Sequence, residues 1–346
     1  MLRFHPAKAP RQGILLSLEQ GLTVIVARAM TTLLVSTLGG HLSQLHTLLG
    51  RFADVDQENV LWVTHDSPQS QSLLAGRRVE FVPYIDERDF KGVARAMLPA
   101  QRLIRSSDAD LVVSTGSAIA GAFLPVAAAL GRQAVFIESA AMVEEHTRTG
   151  RLLERVPRVR LLTQSMTTAD AKWTYCGSVF DSFQPELHPA VREPKRVVVT
   201  VGTSREFGFK KLIERLRNVI PTEVDVLWQT GCTDVSDLEI DAVPWLPSAE
   251  LDAAMVESDI VISHAGGGSA LTALINGKRP VLVPRRADHG EFRDDHQTQI
   301  ADQLAAQNLA SRADVDELQW RALVDAANWS VTSSEAGHPI SLGLAS

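Results

Sequence analysis

Cysteine is nearly absent from this chain. The two thiols, Cys176 and Cys232, stand far apart with no metal-ligand spacing around them. That excludes a disulfide-stapled scaffold and a zinc module, and it fits inert core thiols in a reducing compartment. Long apolar runs are missing too, since no stretch approaches the ~20 residues of a membrane span. Near the N-terminus, Ile14 to Leu18 and Leu22 to Ala29 are apolar but are broken by Glu19 and Gln20. With no continuous apolar region before a small-residue cleavage site, a signal peptide is not expected. Positive charge is not in excess. A formal charge of −7 excludes a general nucleic-acid binder, so any basic work must be local. Low-complexity tracts and internal repeats are likewise missing.

What is present begins with Ser263-His264-Ala265-Gly266-Gly267-Gly268-Ser269. The apolar run Asp259-Ile260-Val261-Ile262 leads into it and helix-compatible residues Ala270 to Asn276 lead out, which reads as strand, glycine turn, helix. Glycines let the backbone approach a ligand, and the first helix amides aim the positive end of the dipole at it, so a phosphate or diphosphate is the natural guest. The turn is not a dinucleotide fingerprint, because the sixth position counted from Gly266 is Leu271. It is not a P-loop either, because no Gly-Lys-Ser/Thr closes it. Further on, Val281-Leu282-Val283-Pro284-Arg285-Arg286 and then Asp294-Asp295-His296-Gln297 offer polar side chains suited to sugar hydroxyls. The pair of segments predicts a nucleotide-sugar site.

At 346 residues the chain should form about two domains. From Met30 onward, apolar runs at 32–36, 60–64, 79–82, 111–114 and 134–137 read as strands, alternating with helix-like segments at 41–51, 67–75, 90–105 and 117–130. Prolines 185, 189 and 194 mark a linker over 183–195. The alternation then restarts, with strands at 197–201, 224–228, 260–262 and 281–283 and a helix at 207–219. This pattern predicts an α/β protein of two doubly wound, Rossmann-like domains, 30–182 and 196–330, facing a cleft at the carboxyl ends of their strands. A last helix is expected over 322–329 and a loose tail over 331–346, while 1–29 is either an extension ahead of a start at Met30 or a short interfacial element, the first being favoured.

Several residues could carry chemistry. Gly39-Gly40-His41 follows the first strand, where glycines admit a substrate and an imidazole at a helix start can take a hydroxyl proton; the bland reading is a capping or solvent-facing histidine. Glu138 ends the strand Val135-Phe136-Ile137 and is a second candidate base, or orients the acceptor. Asp86 and Asp89 carry no motif. Arg148, Arg151, Arg155, Arg158 and Arg160 interleave with Leu152, Leu153, Val156 and Val159. That patch suits anionic headgroups or an acceptor diphosphate, and it equally suits a solvated helix face. Val199 to Ser204, with Gly202 and Thr203, closes a strand with small residues that can meet phosphate oxygens.

On these residues the second half resembles the catalytic subunit of the two-part UDP-GlcNAc transferase that adds the second sugar to dolichol-diphosphate-GlcNAc. The matching segments are Val199 to Thr203, Trp245-Leu246-Pro247, Ser258 to Ser269, Gly277-Lys278, Val283 to Arg286, Gly290-Glu291 and Asp294 to Gln297. The first half resembles its membrane-recruiting, acceptor-binding partner, at Ser36 to His41, Ile137-Glu138-Ser139, Arg148 to Leu153 and Tyr175-Cys176-Gly177. The chain would be a fusion of the two, glycosyltransferase family 28-like and similar in layout to the peptidoglycan lipid II UDP-GlcNAc transferase. The resemblance spans roughly 31–310.

It implies the GT-B fold. It also implies that Gly202, Thr203, His264, Gly266, Gly267, Gly268 and Ser269 meet the donor diphosphate, with the backbone at Leu246 on the uracil edge. Glu291, Asp295, His296 and Gln297 would hold the donor sugar. The resemblance also makes His41 the base; read from the residues themselves, Glu138 is the second candidate catalytic group, and Gly39, Gly40, Arg148, Arg151 and Arg155 are expected to face the acceptor or membrane. The family usually places a ribose-gripping carboxylate where this chain has Thr272, and a membrane-spanning anchor ahead of the first half, which is not evident here.

The expected reaction is inverting transfer of a hexose, by default GlcNAc, from a UDP-sugar to a polyprenyl-diphosphate-linked acceptor. It needs no metal or other cofactor, because the helix end at Gly268-Ser269 takes the diphosphate charge. Domain closure about the linker would exclude water. The expected setting is cytoplasmic and peripheral on the inner face of the plasma membrane, with a homo-oligomer left open. A UDP-sugar 2-epimerase of the same fold and a non-catalytic membrane-recruiting scaffold are the alternatives.

Overall fold

The computed structural model describes residues 14–17, 23–26, 30–86, 88–188, 193–202, 206–334 and 339–343. Ahead of residue 30, β1 (Ile14–Ser17) and β2 (Thr23–Val26) pair as an antiparallel hairpin.

The apolar runs of the first half become parallel strands, because a strand buried on both faces must be apolar at successive positions rather than alternate ones. They are β3 (Thr32–Ser36), β4 (Val60–His65), β5 (Val79–Val82), β6 (Leu111–Gly116), β7 (Gln133–Ile137), β8 (Val159–Thr163) and β9 (Trp173–Tyr175). Their order in the sheet is β5-β4-β3-β6-β7-β8-β9. Helices α1 (Gly40–Leu49), α2 (Pro68–Leu73), α3 (Phe90–Ser106), α4 (Ala118–Ala129) and α5 (Arg148–Leu153) connect them. On one face, Ile104, Phe123, Phe136, Leu153 and Trp173 build one core around α3, α4 and α5.

In the second half, β11 (Arg196–Thr200), β12 (Asp225–Gln229), β13 (Ala242–Val243), β14 (Ile260–Ser263), β15 (Val281–Leu282) and β16 (Ser311–Arg312) follow a short strand, β10 (Phe183–Leu187). They form a second parallel sheet in the order β13-β12-β11-β14-β15-β16. Helices α6 (Lys210–Val219), α7 (Ser248–Glu257), α8 (Gly267–Ile275), α9 (His296–Ala306) and α10 (Trp320–Ala326) complete it, and β17 (Trp329–Ser333) ends the regular elements. Strand order reverses between β3 and β6 in one sheet and between β11 and β14 in the other, which opens a crevice beyond the carboxyl ends at each point. The glycine segments 39–40, 202 and 266–268 sit at those two points.

Several expectations need correction. Phe183 to Leu187, expected to be linker, form β10 and pair antiparallel with β17. The segment expected to be a last helix over 322–329 splits into the end of α10 and the start of β17. The tail expected to be loose is anchored where it is described. Ile340 donates its amide to the Arg51 carbonyl and accepts from Ala53, while Ile340 and Leu342 are buried in the first domain's core beside Phe52. Apolar burial outweighs the entropy of a free end here. Cys232 is exposed rather than in the core, whereas half-buried Cys176 has its thiol pushed up to about 12 by burial, which disfavours the thiolate.

The two domains share one apolar cluster, running from Leu42, Leu45 and Leu49 on α1 to Leu271, Leu274, Ile300 and Leu304 on α8 and α9. A wide hinge opening, as expected for closure about the linker, would expose this surface to water. Removing the Leu342 side chain by Leu342→Ala should cost about 2–4 kcal/mol of unfolding free energy. Urea denaturation reads it, and an unchanged midpoint would mean the tail carries no load.

Candidate active site

The site is built where two helices begin. α1 follows Gly39, whose φ is 74°, and α8 follows Gly266; among the described residues no side chain caps either helix. Their first turns are in backbone contact across the domain boundary. A Cβ added at Gly40 would lie 2.9 Å from the Gly268 nitrogen, and one at Gly268 would lie 2.5 Å from the Gly40 Cα. Any side chain at either position would push the domains apart. Two uncapped N-termini thus converge, and their amides and dipoles favour anionic groups bound beside them.

His41 is the second residue of α1. Its Nδ1 lies 2.7 Å from the Thr115 carbonyl oxygen at the end of β6. A carbonyl only accepts, so Nδ1 carries a proton, and in the neutral ring the lone pair is then on Nε2, the tautomer a base at that position requires. The Thr115 hydroxyl donates back to the His41 carbonyl at 2.9 Å, fixing the ring to the strand end at the switch point.

Glu138 is not in the cleft. It is fully buried, with Oε1 accepting from the Ser139 amide at 3.1 Å and Oε2 accepting from the Thr147 amide and hydroxyl at 2.9 and 3.0 Å. Burial pushes its carboxyl up to about 7, against the pull of those hydrogen bonds from Thr147 and Ser139. The role of second base or of direct contact with an acceptor is therefore withdrawn, since the carboxylate is sealed beneath the start of α5.

The arginine patch does not form one helix face. Arg148 and Arg151 lie on α5, Arg155 and Arg158 in the turn after it, and Arg160 on β8, where its Nη1 donates to the Gly343 carbonyl at 2.8 Å. Arg148, Arg151 and Arg155 are exposed, and Arg151 pairs with Glu145 at 2.6 Å.

In the second domain, His264 is wedged between two glycines. It is buried, and burial holds its ring well below the usual imidazole range, hence neutral. Cβ atoms at Gly202 or Gly266 would come within 2.5 and 2.3 Å of its ring, so the imidazole itself requires both glycines. Thr203 lies outside the described residues. Arg285 is also buried. Its Nη2 donates to the Val201 and Phe207 carbonyls at 2.8 and 3.0 Å and its Nε to Gly208 at 3.2 Å, so it clamps the loop after β11. Burial lowers it to about 10, still cationic near neutrality.

Three of the four expected sugar-side residues shape their own loop. Gln297 is buried and accepts from the Arg285 amide at 3.0 Å, Glu291 from Arg286 at 3.0 Å, and Asp295 from Ala287 at 3.2 Å. His296, at the start of α9, is half-buried and hydrogen-bonded through Nδ1 to Asp294. The partly buried Thr272 donates to the Gly268 carbonyl at 3.0 Å, and Leu246 is half-buried in the segment between β13 and α7.

Residues 196–325 match the glycosyltransferase family 28 C-terminal domain. The two domains together have the GT-B architecture. It superposes on MurG of Acinetobacter baumannii with TM-score 0.54 and 19% identity, covering 85% of this chain and 88% of that one. The glycosyltransferase SnogD of Streptomyces nogalater gives TM-score 0.57 and 21% identity over 87% and 92%. S. aureus MnaA, in a co-structure with UDP, gives 0.56 and 11% over 86% and 94%. At these identities the likeness establishes the fold alone. No curated protein sequence matches the chain.

Two features escaped the sequence. Gln44, buried on α1 three residues after His41, bridges to Ser139, Ala140 and Gln164. α3 presents Phe90, Met97 and Leu98 to solvent beside Lys91, Arg95, Arg102 and Arg105, a helical spacing legible in principle. Glu138 also generates a prediction. Its native value is about 7 against an ordinary 4.5, so its contribution to stability is fully present below 4.5 and lost as pH rises through 7. His264 works in the opposite direction, costing stability as pH falls through the usual imidazole range. Because His264 is common to both proteins, the stability advantage of wild type over Glu138→Gln should shrink from about pH 5 to about pH 8. Urea midpoints measure it, and a constant difference would contradict the assignment.

Proposed function

We propose that this protein is an inverting glycosyltransferase moving a hexose, by default GlcNAc, from a UDP-sugar to a hydroxyl of a polyprenyl-diphosphate-linked saccharide. The observation that carries this reading is the meeting of two uncapped helix N-termini with His41 between the domains. One N-terminus, on the family 28 segment, suits the leaving diphosphate, and the other suits the diphosphate of an acceptor. The chain is then a fusion of an acceptor-side and a donor-side unit.

In this mechanism the donor diphosphate lies at the first turn of α8, formed by Gly267, Gly268 and Ser269, beside Gly202. The uracil meets the backbone near Leu246, and the ribose meets Thr272 in place of a carboxylate, one neutral hydrogen bond instead of a charge-assisted pair. His296, its ring oriented by Asp294, faces the sugar. His41 Nε2 takes the proton of the acceptor hydroxyl as that oxygen attacks the anomeric carbon and the bond to the diphosphate breaks. UDP leaves with the electron pair, its charge held by the α8 amides. The 2-epimerase reading needs acid and base carboxylates facing the sugar. Glu138, Glu291 and Asp295 are instead engaged with backbone amides, which favours transfer.

A lipid-linked acceptor calls for contact with the membrane surface. The exposed face of α3 suits this better than the α5 arginines alone, because it joins apolar Phe90, Met97 and Leu98 to Lys91, Arg95, Arg102 and Arg105. Both α3 and α5 pack on α4, so the two basic groups lie on the same side of the sheet. The setting would be the cytoplasmic face of the membrane.

Two experiments test the reading. A UDP-sugar at ~100 times its dissociation constant should add ~2.7 kcal/mol of stability, blunted in His296→Ala. His41→Ala should lower transfer by about 10²- to 10⁴-fold while UDP-sugar binding stays intact. Absence of a shift for every nucleotide sugar would leave the scaffold reading. For the membrane contact, flotation with vesicles containing anionic lipid should be lost when Phe90→Ser is combined with Lys91→Glu and Arg95→Glu. Flotation unchanged in that variant would exclude α3.

A further inference from the structure

One loop of the acceptor-side domain reaches the donor site, and its anchoring defines a role for Glu138 and Gln44. The loop runs from Ser139 to His146, between β7 and α5. Its two ends are pinned on one carboxylate, since Glu138 accepts from Ser139 at the start and from Thr147 at the finish. Thr147 in turn caps α5 by accepting the Gly150 amide at 3.0 Å, and a Cβ at Gly150 would lie 2.7 Å from Glu138 Oε2. The local packing therefore leaves room for the carboxylate and for little else. The front of the loop is held to α1. Gln44 Oε1 accepts the Ala140 amide at 2.9 Å, and its Nε2 donates to Ser139 Oγ at 3.1 Å.

The far side of the loop touches the other domain twice. The Ala141 methyl lies 3.1 Å from where a Gly267 Cβ would stand, in the first turn of α8. Glu144 Oε2 accepts from Gln299 Nε2 at 2.9 Å, on α9 within a turn of His296. The same side chains that bond the loop thus connect the helix carrying His41 to both helix starts of the donor site. We propose that Glu138 and Gln44 are positioning residues that hold the 139–146 loop as a clasp, setting the donor helix ends in register with His41. The link to catalysis rests on the transferase reading above; the clasp itself is a statement about the fold.

The register matters because group transfer depends steeply on placement of the reacting atoms. Glu138→Gln keeps one acceptor oxygen but turns an amide toward donors, so it frees one end of the loop. Glu144→Ala cuts the contact at the opposite end, on the exposed side, where folding is not at stake.

Hydrogen exchange on the full chain tests the clasp without any substrate. Both variants should raise exchange in the peptide over 267–272 and at the start of α9 by about tenfold or more, with β6 unchanged. Unchanged exchange there in Glu144→Ala overturns the proposal, even where Glu138→Gln fails to fold. Kinetics then separate the clasp from the transferase reading. If wild type transfers sugar, Glu138→Gln should lower kcat while donor affinity stays within about twofold, and in a His41→Ala background it should cost nothing further. Equal losses in both backgrounds would mean that Glu138 does not act through His41, and would overturn the positioning role. A wild type that transfers no sugar fails the transferase reading and leaves the exchange result to decide the clasp.

Discussion

The contact between Gly40 and Gly268 is the constraint on which the rest of this structure depends. Two helix starts can touch backbone to backbone only if neither residue carries a side chain. The approach brings two positive helix ends into one crevice, where their mutual repulsion is unfavourable unless something anionic lies beside them or apolar burial holds them together. Burial is provided immediately behind the contact by Leu42 and Leu45 on one helix and Leu271 and Leu274 on the other. The domain interface is thus apolar at the back and electropositive at the front, an arrangement that fixes geometry and leaves the chemistry to the open side.

Polar groups behind this front serve mainly to hold backbone. His264 sits neutral between Gly202 and Gly266, Arg285 spends its guanidinium on three carbonyls, and Gln297, Glu291 and Asp295 each tie down one amide of the loop before α9. Buried polar atoms must be paired, and where loops must stay irregular to receive a ligand, side chains take over the pairing that a strand or helix would otherwise supply. A loop rich in charged residues can therefore use them to hold its own backbone.

The strand, glycine and helix pattern of the sequence placed the glycine turn, the first-strand glycines and His41 at the strand ends where the structure has them, at the reversal points of the two sheets. It could not distinguish a residue that faces the cleft from one that supports the loop facing it. Glu138 illustrates the limit. A carboxylate directly after four apolar residues reads as a strand-end group presented to a ligand, yet the chain turns back at Thr147 and covers it. The arginines from 148 to 160 show the same limit, since a break into β8 separates residues that sequence spacing grouped together.

The sequence by itself determined the alternation of strand and helix, the two domains and the two glycine segments, since these follow from apolar periodicity and from the steric demands of tight turns, which are local. Only the tertiary structure decided that the segment after Phe183 pairs with the chain end as a strand, that Ile340 and Leu342 return to the first domain, and that Gln44 links α1 to a loop far along the chain. Each of those depends on which surfaces are left to be buried after the sheets have formed, and residues distant in sequence supply them. Burial and hydrogen-bond partnership are properties of the assembled fold, so the difference between a group that acts and a group that supports is decided there.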